Sequence, residues 1–343
     1  MYSIKITPRT FHFQHPAGTS RGIYTERKSW MLEMTNDAMP GRVGIGECAP
    51  LPELSCDDTP EYEKTLRAVC DRFEQEGKID YAMMRPYPSM LFGLETALLN
   101  LQCGSNNFFD NAFTRGEKGI TINGLVWMGS HEEMLRRIEE KISQGFHCIK
   151  LKIGAIEFEK ELDMVRGIRE RFSRSELQLR VDANGAFKFE EALYKLELLA
   201  QYAIHSIEQP IKANQWGYMA ELCRESPLPI ALDEELIGIN MPEMKAHVLN
   251  IIKPAYIVLK PSLHGGMHGV REWVETARSQ GIGSWITSAL ESNVGLNAVA
   301  QLAADIYGID DNMAQGLGTG QLFTDNIPMG LEIRGEKLWK VED

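Results

Sequence analysis

Six ionisable side chains recur at a near-constant interval through the middle of the chain. Lys150 and Lys152 close the apolar run HCIKLKIG, Asp182 closes LQLRVDANG and Glu208 closes AIHSIEQP. Asp233, followed by Glu234, closes LPIALDEE, and Lys260 closes AYIVLKPS. From Lys152 onward the spacings are 30, 26, 25 and 27 residues. That is one charge per strand–helix unit, delivered to one rim, because ligand sites of parallel barrels lie where the strands end. Three carboxylates from adjacent strands make an all-oxygen site suited to a hard divalent cation, best met by Mg²⁺. Without a cation, three such anions would shift one another's pKa values strongly. Lys150 and Lys152, at i and i+2, share one strand face. Each like charge lowers the other's pKa, which suits a lysine to work as a base. A metal that holds a substrate carboxylate, with a base beside the α-carbon, is the arrangement for enolate chemistry.

A single Asp or Lys at a strand end is usually a solvated loop residue; the ordered set Lys–Asp–Glu–Asp–Lys is far harder to produce by accident. Glu234 would point away from the lumen if its strand continued past Asp233. Asn184 either shares the face of Asp182 or closes an Asx turn, and both fit. His264 and His268, in SLHGGMHGV, read as a loop and a first helical turn, since no zinc-type spacing is present.

The elements that must position these residues follow from the hydrophobic pattern. Eight apolar runs, from ITINGLV to AQGLG, alternate with amphipathic stretches such as 131–143, 158–172, 189–201, 269–280 and 294–304. Alternation of this kind implies right-handed parallel β-α-β units, and eight runs suit a (β/α)₈-type barrel. A doubly wound open sheet competes, but no G-x-G-x-x-G follows the first run. The beginning of the chain differs. Two alternating strands at 2–15 and 21–34, a turn at HPAGTS, the VGIGECAPLP loop and helices at 59–75 and 89–102 suggest an α+β unit. The division expected is 1–117, then a barrel over 118–321, then a tail over 322–343 that could return to the first sheet.

Composition sets the outer bounds. The chain has 343 residues, 43% hydrophobic and 24% charged, which is ordinary for a folded domain and excludes disorder. The net charge of −12 argues against nucleic acid or an anionic membrane as partner, both of which need cationic patches. Net charge says nothing about the sign of the site itself. Six scattered cysteines without a C-x-x-C pair read as reduced thiols. With neither a signal-peptide pattern nor an 18-residue apolar run, the expectation is a soluble cytoplasmic protein.

The order IKLKIG, VDANGAF, IEQPI, LDEEL and IVLKPS resembles the enolase superfamily, in the muconate-lactonizing-type branch with lysines on strands two and six. The match extends to the GIGECAPLP loop and the FGLETALLNL helix, and so spans nearly the whole chain. The resemblance implies a (β/α)₇β modified TIM barrel with an α+β capping domain formed by the N-terminal region and the C-terminal tail. It implies Mg²⁺, with Mn²⁺ as a substitute, held by Asp182, Glu208 and Asp233. Lys152 would be the acid/base, Lys260 the cation facing it, and Lys150 an auxiliary lysine tuning Lys152. KPSLHGG, TSALESNVGLNA and GLGTGQLF point to members that dehydrate a hydroxycyclohexadiene dicarboxylate, syn and through an ene-diolate, on the route to menaquinone. The substrate would be a small anionic carboxylate, and an oligomer is compatible. Cap segments 15–21 and 49–55 would close over the ligand. Asn184 is a further candidate for substrate binding. Ser262 and Ser288 are either partners of the substrate's side chain or ordinary helix N-caps. Related activities differ in their marks: dipeptide epimerases usually carry D-x-D on strand eight, where this chain has AQGLGTGQ, and mandelate-racemase-type members need a strand-seven His that GSWITSAL lacks. N-acylamino-acid racemisation stays open. A non-catalytic barrel would be expected to have lost a ligand, and a Schiff-base aldolase would not need three carboxylates.

Overall fold

The computed structural model describes residues 1–19, 22–309 and 313–342. Two long antiparallel strands, β1 (Tyr2–Thr19) and β2 (Gly22–Asn36), open the chain, and β3 (Gly44–Cys48) pairs with β2. Residues 15–19 of the HPAGTS segment, expected as a turn, continue β1 instead, and Ser20 lies outside the described residues. The extra residues of β1 are absorbed by a register shift between His12 and Ala17, as a bulge permits. Helices α1 (Tyr62–Glu76), α2 (Tyr81–Met84) and α3 (Pro88–Cys103) follow. Ile4, Leu32, Met34, Leu66, Phe73 and Leu94 form the core between these helices and the sheet. The close approach of α3 to β3 requires glycine on both sides: a Cβ on Gly46 would stand 2.0 Å from the Gly93 carbonyl oxygen, and one on Gly93 would stand 2.3 Å from Cys48 Sγ.

The ITINGLV run divides. Its first part is β4 (Ile120–Thr121), and its second is β5 (Gly124–Val126), the first strand of a parallel sheet. That sheet continues in chain order through β6 (Cys148–Lys152), β7 (Gln178–Asp182), β8 (Ser206–Glu208), β9 (Ile230–Leu232), β10 (Tyr256–Leu259) and β11 (Gly283–Ile286). Between them lie α4 (His131–Ser143), α5 (Phe158–Arg171), α6 (Phe189–Ala200), α7 (Trp216–Glu225), α8 (Pro242–Ile252) and α9 (Gly266–Ser279), with α10 (Asn293–Tyr307) after β11. The strands are apolar on both faces because helices cover the outside and side chains fill the lumen; Ile149, Leu151, Leu179, Ile207 and Leu259 are fully buried. The eighth run, AQGLG, is reduced to bridges. Gln315 lies against Ile122 and Gly316 against Thr287, so the segment joins the end of the sheet to its beginning. The result is the (β/α)₇β barrel that the resemblance implied.

The tail serves two places. Gln14 N–H donates to the Leu322 carbonyl at 2.7 Å and Thr324 N–H to the His12 carbonyl at 2.9 Å, which attaches that segment to β1. The alternating run beyond it forms β12 (Leu331–Arg334) and β13 (Lys337–Lys340), and β13 pairs with β4 rather than with the first sheet. A separate apolar cluster, including Phe11, Met31, Leu51, Leu263 and Leu290, packs the N-terminal sheet onto the barrel mouth.

Candidate active site

Strand pairing alone aligns the carboxylates. Lys152 stands opposite Asp182 in the parallel ladder, and Asp182 opposite Glu208. Asp233 and Lys260 each follow directly on the last residue of their strands. Asp182, Glu208 and Asp233 are buried. Such charges need compensation at once, and the lysines supply it. Lys150 Nζ donates to both Glu208 oxygens at 2.7 and 2.6 Å and lies 2.9 Å from Asp182 Oδ2. Lys152 Nζ donates to Asp182 Oδ2 at 2.9 Å and to Asn184 Oδ1 at 2.7 Å. Lys260 Nζ donates to Asp233 Oδ2.

These contacts decide the electrostatics. Burial alone would raise Asp182, but Lys150 and Lys152 hold it well below the usual carboxylate range. Glu208, the middle carboxylate, is pushed up by burial and by the charge of Asp182. Two lysines on one face were expected to lower one another. For Lys150 the carboxylates win: burial pulls it down, yet Asp182, Glu208 and Asp233 raise it above its ordinary value. Lys150 is therefore a fixed cation rather than a base.

Among the described residues, no three Asp, Glu, His or Cys side chains converge closely enough to hold a metal as they stand, because each carboxylate is drawn onto an ammonium group. The donor set nevertheless fits a hard cation. All three are carboxylates on neighbouring strands, and Asp233 Oδ1 is buried with no hydrogen-bond partner.

A cavity opens above this cluster. Lys150, Lys152, Asp182, Asn184, Glu234 and Lys260 form its floor side; Trp127, Trp285, Thr287, Ser288 and Thr319 form walls, and Tyr24, Leu51 and Leu54 reach in from the N-terminal region. Of the two expected cap segments, 49–55 thus contributes directly. His15 from 15–21 lines the wider cleft beyond the cavity, and Ser20 and Arg21 lie outside the described residues.

The remaining candidates separate. Asn184 meets both expectations: its backbone N–H closes a turn onto Asp182 Oδ1 at 3.0 Å, with φ at +44°, while its side chain ties Lys152 to Glu234. Glu234 does not point away. β9 ends at Leu232, a 3₁₀ turn starts at Glu234, and strand alternation no longer applies, so its carboxylate accepts from Asn184 Nδ2 at 3.0 Å. Ser288 lines the cavity with its hydroxyl 2.6 Å from that of Thr319. Ser262, expected at the substrate, is fully buried and donates to Glu291 instead. Its turn after β10 directs it beneath the cavity wall. His264 accepts from the Lys260 N–H at 2.9 Å and is buried, while His268, in the first turn of α9, packs its ring at a tilt against Tyr81. Thr319 and Trp127 were not singled out; their signal is only that they adjoin strand ends, which strand periodicity does not separate from ordinary loop positions.

Two family models match the chain: the enolase C-terminal domain-like family over residues 133–315, and the MenC N-terminal domain family over 20–101. The chain is 45% identical to o-succinylbenzoate synthase of Desulfotalea psychrophila (strain LSv54 / DSM 12343), across 94% of this chain and 95% of that one. The chain belongs to the o-succinylbenzoate synthase family of the enolase superfamily. The crystal structure of MenC from D. psychrophila LSv54 agrees, with a TM-score of 0.86 at 40% identity over 98% of this chain and 99% of that one. Dipeptide epimerase from Enterococcus faecalis V583, complexed with Mg and the dipeptide L-Leu-L-Tyr, shares the fold, with a TM-score of 0.82 at 18% identity over 99% of this chain and 96% of that one. No described helix is long and apolar enough to cross a membrane.

Proposed function

We propose that the protein is an o-succinylbenzoate synthase, a hydro-lyase of menaquinone biosynthesis. It removes water, syn, from 2-succinyl-6-hydroxy-2,4-cyclohexadiene-1-carboxylate to give 2-succinylbenzoate. The observation that carries this reading is the convergence of Lys152, Asp182 and Lys260 on one cavity, in a chain whose family is that of the synthase.

A divalent cation is implied by the family, and Asp182, Glu208 and Asp233 would hold Mg²⁺, with Mn²⁺ as a substitute. When bound, it supplies Lewis-acid stabilisation of the negative charge that grows on the substrate carboxylate. Lys152 accepts the proton α to that carboxylate, and Asn184 fixes its Nζ at the cavity wall for that purpose. The C–H electron pair is first delocalised into the carboxylate, and it then returns to the ring as the C–O bond to the hydroxyl breaks. Lys152, now protonated, returns the proton to the departing oxygen, so water leaves and the ring becomes aromatic. One lysine serving both steps accounts for syn geometry. Lys260 stands as a fixed cation toward the developing anion, and Lys150 keeps Glu208 and Asp182 in place. Trp127, Trp285, Leu51 and Leu54 supply apolar walls for the ring, and the Ser288–Thr319 hydroxyl pair offers donors to the succinyl arm. The substrate is thus a small anionic carboxylate; nucleic acid and membrane are not partners, and an oligomer is compatible. The working division of the chain is 1–117, 118–321 and 322–343, in the cytoplasm.

The experiment is turnover by the purified chain with saturating Mg²⁺, followed as 2-succinylbenzoate formation beside a panel of N-acylamino acids. Dehydration supports the reading; racemisation alone replaces the reaction while leaving the fold and cation site in place.

A further inference from the structure

The N-terminal sheet buries one guanidinium, that of Arg27 on β2, which is 1% exposed. Its fork runs to main-chain carbonyls: Nη2 donates to Ala49 at 2.6 Å, Nη1 to Pro50, and Nε to Leu290 at 3.3 Å. Those carbonyls belong to segments from opposite sides of the cavity mouth. Leu51 and Leu54 line the cavity from the cap side, and Ser288, Ala289 and Leu290 line it from the barrel side. Both segments are strained. Glu53 and Leu290 hold φ at +61° and +64°, a region that side chains other than glycine avoid unless the surroundings enforce it. Buried acids complete the frame: Glu291 accepts from Ala289 N–H at 2.6 Å, and Glu47 accepts from Ser292 N–H at 3.0 Å and Gly295 N–H at 2.9 Å. Both carboxylates also lie close enough to support the charge on Arg27.

We propose that Arg27 is a positioning residue that sets how tightly the cavity holds its substrate, by pinning cap segment 49–51 and the barrel carbonyl of Leu290 to each other. Arg27 neither lines the cavity nor touches the strand-end charges. Its loss therefore loosens the walls without altering proton transfer, an effect read in KM rather than kcat. A planar fork is what lets one side chain reach three carbonyls; lysine keeps the charge and loses that geometry. The choice of substrate for the kinetic test rests on the dehydration proposed above.

The test compares wild type with R27Q and R27K at saturating Mg²⁺, measuring kcat and KM for dehydration. Amide hydrogen exchange of 49–55 and 288–291 is measured in parallel, without substrate. For R27Q the expected result is KM raised about tenfold, kcat within about threefold, and faster exchange in both segments together. R27K should fall between R27Q and wild type, and it carries the same readouts if R27Q does not fold. An unchanged KM, a kcat that falls as far as kcat/KM, or loosening of one segment alone would overturn the proposal. Failure of wild type to dehydrate the substrate would overturn the reaction instead, and the exchange data would still decide the clamp.

Discussion

Replacing Asn184 with glycine separates what its side chain does from what its backbone does. Asn184 sits at φ +44°, where glycine rests without strain, and its N–H to Asp182 Oδ1 would survive the change. Relief of the left-handed backbone offsets the entropy of the added glycine, so stability should move by less than about 1 kcal/mol. The side chain gives up its 2.7 Å bond from Lys152 Nζ and its 3.0 Å bond to Glu234. A hydrogen bond to a charged group contributes about 1.5–3 kcal/mol, which converts to a factor of about 10–160. If Asn184 places the lysine for proton transfer, that loss belongs to kcat. The assay is steady-state formation of 2-succinylbenzoate at saturating Mg²⁺, with a thermal melt beside it. A kcat within about twofold of wild type, in a protein of unchanged stability, would refute the placement of Lys152 by Asn184.

Three other outcomes are expected. Asp182→Asn should weaken Mg²⁺ binding at least about tenfold, because a charged ligand becomes neutral; a titration matching wild type would remove Asp182 from the cation site. EDTA should abolish turnover and added Mg²⁺ should restore it, whereas activity that survives chelation would contradict a cation-dependent step. Glu95 of α3 accepts from Met267 N–H at 2.6 Å and His268 N–H at 3.0 Å, at the start of α9, and burial pushes it up to about 8. The folded chain therefore keeps a proton that the unfolded chain releases near pH ~4.3, and stability falls as pH rises from there through about 8. At about 1.4 kcal/mol per unit this amounts to a few kcal/mol. Glu95→Gln should flatten that slope in urea denaturation at pH 5 to 8, and parallel slopes for the two proteins would show that Glu95 does not titrate there.

The barrel was readable because parallel strands covered on both faces must be largely apolar, and because five consecutive strands, β6 to β10, each deliver a charge to the rim at or just after their last residue. Asp182, Glu208, Asp233 and the three lysines follow from that rule with no knowledge of tertiary contacts. What escaped depends on chain direction after a strand stops. Ser262 and Ser288 occupy similar positions beyond β10 and β11, yet one turns under the wall to Glu291 and the other faces the cavity beside Thr319. Glu234 departs from the expected alternation because it lies two residues past the end of β9, where a 3₁₀ turn has begun. The eighth strand looked whole by its apolar residues and survives as bridges at Gln315 and Gly316. Arg27 gave no signal in the sequence: a charged residue on an alternating strand reads as solvent-facing unless its carbonyl partners, which lie 22, 23 and 263 residues away, are known.

Everything proposed for the reaction depends on Lys152 moving the proton at a cation-holding cluster of strand-end carboxylates. The direct measurement is turnover of the cyclohexadiene substrate by Lys152→Ala, with Mg²⁺ affinity determined on the same sample. Asp182 retains Lys150 at 2.9 Å in that variant, so the cluster should persist and Mg²⁺ should bind much as in wild type. Loss of the general base should reduce kcat by about 10²–10⁴. Activity within about tenfold of wild type, with Mg²⁺ bound, would show that Lys152 is not the base.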